Sequence, residues 1–442
     1  MKTSRLLQRR QFLKKSAMGV VGAGLIPGMN RGIHGQEIPS ETNKTPLKIR
    51  DYRILGRTGF KVSDIATGSI QEENLLHAML EAGVNYIDTA EQYPGHHKMI
   101  GNVIRNGGHD RKKLFISSKM EVLEDKSKEG FIQRVHKGLE EMCTDYFDCM
   151  MMHMPEKMET IKTEGFHEAM RQLKAEGRIR FVGISNHGSF WFRDPEETME
   201  KVLLAAADDG RFDVFLMAYN FLQMDQAEKV LDVCSERKIG TALMKTTPIT
   251  KFYLIKSRVE QMEKEGKEIH PLYKEGIVRF KDKLDKAEGF IKKYNLQNPE
   301  EIKEAAIRFV LDNAKVNTVC CSARNFEEME RFVRLSGTRL SGWDKAKLSA
   351  YEKGCGELYC RHACGVCEPQ CPHDIPVNTI MRYSHYFISQ GREREAMKNY
   401  ASIPGNSADM CQQCPGYCEQ ACPFNVPIQG MLIMAHNLLA MA

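Results

Sequence analysis

Several things are scarce in this chain of 442 residues. A dominant charge sign is one: 63 basic side chains face 58 acidic ones, a net +5. Over this length that excess argues for neither nucleic acid nor a membrane surface as a partner. A long apolar run is another. The one mildly apolar stretch, residues 17–29, falls short of the about 20 residues that span a bilayer, so no transmembrane anchor is expected. Evenly spread cysteine is missing too. Of fourteen cysteines, Cys143, Cys149, Cys234, Cys320 and Cys321 are scattered, while nine crowd between Cys355 and Cys422. A disulfide scaffold would distribute them; crowding points to one local cofactor site. No flavin motif is visible. The remainder is ordinary for a globular protein, with 42% apolar and 27% charged residues. The length implies a large domain with smaller parts.

The first residues read as an address. Arg9 and Arg10, followed by Phe12 and Leu13, resemble a twin-arginine export signal. The basic front and short apolar middle fit a signal removed after export, over residues 1–35, and 36–49 reads as a linker. A basic tail with a chance arginine pair is the alternative. The resemblance implies a periplasmic or otherwise exported protein that folds around its cofactors before transport.

From Tyr52 onward, short apolar runs alternate with amphipathic stretches. Strands are expected at 65–69, 86–88, 114–119, 149–153, 181–185, 214–219, 240–245 and 318–322. Helical spacing appears between them, as in Phe131, Val135, Leu139 and Met142. Eight strand-then-helix units predict an α/β chain whose residues 50–345 form a (β/α)8 TIM barrel, with a doubly wound sheet as the alternative. Residues 250–300 are an insertion in the seventh connection, either a lid over the site or a solvated surface piece.

Four polar residues stand at or just after consecutive strand ends: Asp88, Tyr93, Lys119 and His153. In a barrel they converge on one face. The segments that carry them, Asp-Thr-Ala-Glu-Gln-Tyr (88–93), Ser-Ser-Lys (117–119) and Met-His-Met-Pro (152–155), resemble the aldo-keto reductase family, as do residues 52–59 and 183–186. The resemblance implies carbonyl–alcohol interconversion by hydride transfer. Such chemistry needs a proton on oxygen, and a phenol (pKa about 10) is a poor acid until an ammonium favours its phenolate. Tyr93 is therefore the expected acid or base, Lys119 its tuner, Asp88 the anchor of Lys119, and His153 the group that orients the carbonyl oxygen.

The family's nicotinamide pocket is matched less well. Ser185 and Asn186 resemble its carboxamide-binding pair, but Leu216 stands where a glutamine is usual, and the seventh strand ends in Met244 and Lys245 rather than tyrosine. Met244 is read as an apolar contact or as core, and Lys245 as a phosphate contact. Ser322 and Arg324, at a helix start, resemble the grip on the adenosine 2′-phosphate, with a simple N-cap as the alternative. NADP(H) is the expected cofactor, with NAD(H) or no nicotinamide at all as the alternatives.

Residues 346–442 hold two cysteine runs, Cys360, Cys364, Cys367 and Cys371-Pro372, then Cys411, Cys414, Cys418 and Cys422-Pro423. Each resembles a ferredoxin run with one residue added, and the helical spacer between them is similar to α-helical ferredoxins. Two [4Fe-4S] clusters follow, with the fourth cysteine of each run serving the other cluster. That ligand pairing is left open by the added residues, with Cys355 a candidate substitute for Cys360; zinc is the alternative metal. The partners expected are a small carbonyl or alcohol substrate, a sugar-like compound being one candidate, and an electron-transfer protein. The rival function is an electron-transfer or regulatory subunit with a vestigial barrel pocket.

Overall fold

The computed structural model describes residues 46–187, 197–250, 252–269, 271–362, 364–405 and 407–440. The expected export signal and most of the linker lie outside the described residues.

A hairpin of β1 (Tyr52–Ile54) and β2 (Lys61–Ser63) comes first. Eight parallel strands then close a barrel: β3 (Ile65–Thr67), β4 (Tyr86–Asp88), β5 (Phe115–Met120), β6 (Phe147–His153), β7 (Ile179–Asn186), β8 (Val214–Ala218), β9 (Gly240–Met244) and β10 (Thr318–Cys321), which pairs back onto β3. Each expected strand is found within a residue or two of its place; the hairpin was not foreseen. The hairpin turn presses on the start of β9. A Cβ on Gly56 would fall 2.3 Å from the Gly240 nitrogen, so only glycine fits.

The helices, in chain order, are α1 (Glu73–Glu81), α2 (His96–Gly107), α3 (Lys128–Met142), α4 (Glu164–Ala175), α5 (Met199–Asp209), α6 (Asp225–Glu236), α7 (Phe252–Lys264), α8 (Pro271–Arg279), α9 (Lys281–Lys293), α10 (Pro299–Asp312), α11 (Phe326–Leu335), α12 (Gly342–Cys355), α13 (Val377–Gln390), α14 (Glu393–Ala401), α15 (Tyr417–Gln420) and α16 (Ile428–Leu439). In α3 the apolar set Phe131, Val135, Leu139 and Met142 is buried, as its spacing requires. Inside the barrel, Leu55, Ala66, Tyr86, Phe115, Cys149, Met151, Val214, Leu216 and Ala242 form a packed plug rather than a pore.

A second core differs from both readings of residues 250–300. Leu284, Ala287 and Ile291 of α9 pack with Leu348 and Tyr351 of α12 and with Ile433 and Met434 of α16. Helices α8 and α16 approach closely: a Cβ on Gly276 would meet the Met434 side chain at 2.4 Å, and one on Gly430 would meet Phe280 at 2.6 Å. The described part of the insertion is thus the structural bed of the C-terminal helices. Among the described residues, no helix is long and apolar enough to cross a membrane.

Candidate active site

The C-terminal ends of β4, β5 and β6 bring three of the four expected residues together. Register pairs Asp88 with Ser117, Lys119 with Met151 and His153 with Ser185. Lys119 Nζ, almost wholly buried, donates to Asp88 Oδ1 at 2.6 Å and to the Thr89 carbonyl at 2.7 Å. Tyr93 sits on the loop after β4, and the Lys119 ammonium lies 5.2 Å from its ring centroid. His96, one turn on, fixes that loop. Its Nε2 donates to the Ile70 carbonyl at 2.7 Å, its Nδ1 accepts from the Thr89 hydroxyl at 2.7 Å, and its ring meets Tyr93 edge-on at 5.8 Å.

Electrostatics correct one expectation. Burial pushes the Tyr93 phenol above its ordinary value, and the opposing pull of Lys119 does not overcome it. Lys119 is itself held up: burial disfavours its charge, but the Asp88 carboxylate and the Tyr93 phenol outweigh burial. Tyr93 is therefore a phenol at neutral pH, the form that donates a proton.

His153 is kept neutral by burial and by Lys119. Its Nδ1 lies 3.0 Å from Gln92 Oε1, while the Gln92 amide nitrogen donates to Glu91 at 3.2 Å. That arrangement assigns the ring proton to Nδ1 and leaves Nε2 as an acceptor. An acceptor suits a substrate hydroxyl; orienting a carbonyl requires the other tautomer, with the Gln92 amide turned. Neither Gln92 nor His96 was singled out by the sequence, although both flank Tyr93 in the same motif.

The nicotinamide residues divide into two groups. Ser185 Oγ is buried without a hydrogen-bond partner among the described residues, and Asn186 beside it donates to the Pro155 carbonyl at 3.1 Å. An orphaned hydroxyl of this kind fits a carboxamide. Leu216 is a barrel-core residue, and Met244 packs partly against the same core. Ser322 lies against Gly68, whose Cβ would clash with its hydroxyl at 2.2 Å. The cap of α11 is Asn325, which accepts from the Glu328 nitrogen. Arg324 pairs with Glu328 and donates to the Gln390 carbonyl, at the end of α13, at 2.8 Å. Lys245 donates to the Tyr386 hydroxyl of the same helix at 2.7 Å. The carboxamide end fits a nicotinamide; both cations expected at phosphates are engaged by the C-terminal helices.

The cysteines fall into two groups of four. Cys360, Cys364, Cys367 and Cys422 line one small pocket together with Phe424, Val377 and Ile428. Cys371 and Cys414 lie close enough to Cys411 and Cys418 to act on the charge of both. Each group thus takes one cysteine from the other run. Cys355 lies apart, in the second core, where burial pushes its thiol up to about 12. None of the fourteen cysteines, all among the described residues, is in a disulfide. Among the described residues, no group of three or more His, Cys, Asp or Glu is arranged to hold a metal ion.

The two runs are built as repeats. After Cys371-Pro372 and after Cys422-Pro423 the chain turns through Asp374 and Asn425, both at φ 53°, then enters α13 and α16 behind Pro376 and Pro427. Asp and Asn tolerate that left-handed conformation better than most residues. Glu368 and Glu419 cap the two helices, accepting from the Asn378 nitrogen at 2.6 Å and the Gln429 nitrogen at 3.2 Å.

A closed parallel barrel with a Lys–Asp pair, a phenol and an imidazole at one mouth defines a barrel oxidoreductase. The aldo/keto reductase family model matches residues 56–351, and the chain belongs to that family. Methylglyoxal reductase DkgB of Salmonella typhimurium is 32% identical over 131 residues, 30% of this chain and 46% of that protein. The chain thus spans less than half the length of that relative. Aldo-keto reductase YhdN of Bacillus subtilis is 22% identical over 68% of this chain and 92% of its own. A solved aldo-keto reductase from Bacillus halodurans, in its holo form, aligns with 68% of this chain and 96% of its own at 20% identity and a TM-score of 0.48.

Proposed function

We propose that this chain interconverts a carbonyl and an alcohol, with Tyr93 as the proton-transferring group. The observation that carries the reading is the buried Lys119–Asp88 pair set beside the Tyr93 ring. Tyr93, kept protonated by burial, gives its proton to the developing alkoxide. The Lys119 ammonium stabilises the phenolate left behind, and Asp88 with the Thr89 carbonyl holds that ammonium in place. In the reverse direction the Tyr93 phenolate, stabilised by the Lys119 ammonium, takes the proton of the substrate hydroxyl, and His153, with its proton on Nε2 and the Gln92 amide turned, donates to the same oxygen. Bound NADP(H) would supply the hydride; Ser185 and Asn186 would hold its carboxamide, and Arg324 would exchange the Gln390 carbonyl for a phosphate.

Two [4Fe-4S] clusters would be held by Cys360, Cys364, Cys367 and Cys422, and by Cys411, Cys414, Cys418 and Cys371. The pocket lined by four thiols supports the first, since a four-iron cluster spreads its thiolates wider than a single ion does. The clusters would store single electrons or brace the C-terminal turns. An electron-transfer protein is the proposed partner, and export by the twin-arginine route is the proposed destiny of the chain. The engagement of Lys245 and Arg324 by the C-terminal helices favours a second reading, an electron-transfer subunit with a closed pocket. Tyr93→Phe separates the two: carbonyl reduction should fall by about 10²–10⁴, and a variant as active as the parent overturns the assignment.

A further inference from the structure

Lys245 follows β9 in a left-handed conformation, φ 56°, that a lysine seldom adopts. Its carbonyl accepts from Asn220 Nδ2 at 3.0 Å, and Asn220 also donates to the Tyr359 hydroxyl at 3.2 Å. The backbone is thus held by the C-terminal region in a shape that aims the side chain at α13. There, among the described residues, the ammonium meets the phenol of Tyr386, by hydrogen bond at 2.7 Å and at 4.4 Å from the ring centroid. Arg392 covers the same ring at 4.5 Å. No carboxylate pairs with Lys245 among the described residues, whereas Arg392 has Glu395.

This cationic patch adjoins the mouth. Tyr386 and Arg392 both act on the charge of Tyr93. Arg382, one turn before Tyr386, lies 3.5 Å from His187 Nδ1, and His153 acts on the charge of His187. A second small pocket adjoins it, lined by Arg382, His362, His385, Asn378 and Thr250. Burial lowers the Lys245 ammonium, Arg392 and Arg382 add to that, and only Tyr386 opposes them, so an anion seated there would stabilise its charge. Burial raises the Tyr386 phenol, but Lys245, Arg382 and Arg392 outweigh burial and bring it to about 8. It is therefore mostly neutral at pH 7 and neutralises little of the charge.

We propose that Lys245, with Arg382 and Arg392 from the C-terminal helices, is an anion subsite, and that the substrate is a carbonyl compound bearing a carboxylate. The proposal rests on the carbonyl–alcohol reading. The acidic group would displace the Tyr386 hydroxyl from Lys245 while the carbonyl faces Tyr93.

Calorimetric binding on the full chain, purified without air, tests this. Pyruvate and 4-oxopentanoate are each compared with their methyl esters, dihydroxyacetone phosphate with dihydroxyacetone, and NADP⁺ is titrated alone. At least one oxo acid should bind about tenfold or more tighter than its ester, as a charge-assisted contact in a dry site provides. Lys245→Met should abolish that preference and leave NADP⁺ affinity unchanged, while Lys245→Arg keeps both. Equal binding of acids and esters overturns the proposal. So does a preference confined to the phosphate ester, or a loss of NADP⁺ affinity in Lys245→Met with acid binding intact, which would give the lysine to a nucleotide phosphate. The Tyr93→Phe variant keeps the two readings apart: it should retain the acid preference without turnover. Turnover at parental rate there sinks the carbonyl reading alone.

Discussion

Replacing the buried pair piece by piece separates its structural from its chemical role. Lys119 and Asp88 are both buried and 2.6 Å apart. Lys119→Met strands a buried carboxylate, and Asp88→Asn strands a buried ammonium with only the Thr89 carbonyl and an amide. Breaking a pair of this kind costs about 3–5 kcal/mol. Unfolding of the compact unit Leu47–Ala442, at about 2.1 cal/mol/K per residue, carries an entropy of about 0.8 kcal/mol/K, so about 4 kcal/mol becomes a drop of about 5 °C in Tm. The double variant Lys119→Met, Asp88→Leu removes both charges and should recover most of that loss, because an apolar pair of similar volume is often as stable. Catalysis should not recover in any of the three. The assay is scanning calorimetry beside carbonyl reduction. Single variants that melt with the parent, or a double variant that still turns over, would refute the account of this pair.

His96 is held neutral by burial, down to about 4 from 6.5. Its lowered value means the unfolded chain binds the proton first, so stability is full above pH 6.5 and falls between 6.5 and about 4, by about 3 kcal/mol from this group. Melting followed from pH 7 to 5 should show a smaller loss in His96→Gln than in the parent. Ser185→Ala removes a buried hydroxyl with no partner, so Tm should hold or rise slightly while NADP⁺ affinity falls; a clear drop in Tm would show that the hydroxyl has a structural partner. Cys422→Ser should lower bound iron by about half, and Cys355→Ala should leave iron unchanged; iron and sulfide analysis after anaerobic purification decides both.

What could be read from the residues was what short-range pattern encodes. Buried strands announce themselves as short apolar runs, so all eight were placed, and Asp88, Lys119 and His153 followed because strand ends share one face. The two thiol groups match the crossed pairing that the resemblance to two-cluster ferredoxins implies, which the spacing of the runs alone left open. The meeting of α13 with the barrel mouth had no such signature. Tyr386 and Lys245 are separated by 141 residues, and nothing in helical or strand periodicity marks which surface helix will reach across. The insertion was misread for a related reason. Its charged outer face looked solvated, while the apolar stripe of Leu284, Ala287 and Ile291 waits for partners that come only after residue 342. The Tyr93 acidity was misjudged because burial, which opposes Lys119, cannot be weighed without coordinates.

The crossing of Gly276 over Gly430 has a practical corollary for anyone wishing to work with the catalytic half alone. Excising everything beyond residue 345 would not liberate a clean barrel. It would lay bare the greasy flanks of α8 and α9, along with Phe221, Leu222 and Ile249 at the rim, and hand the cell a sticky fragment.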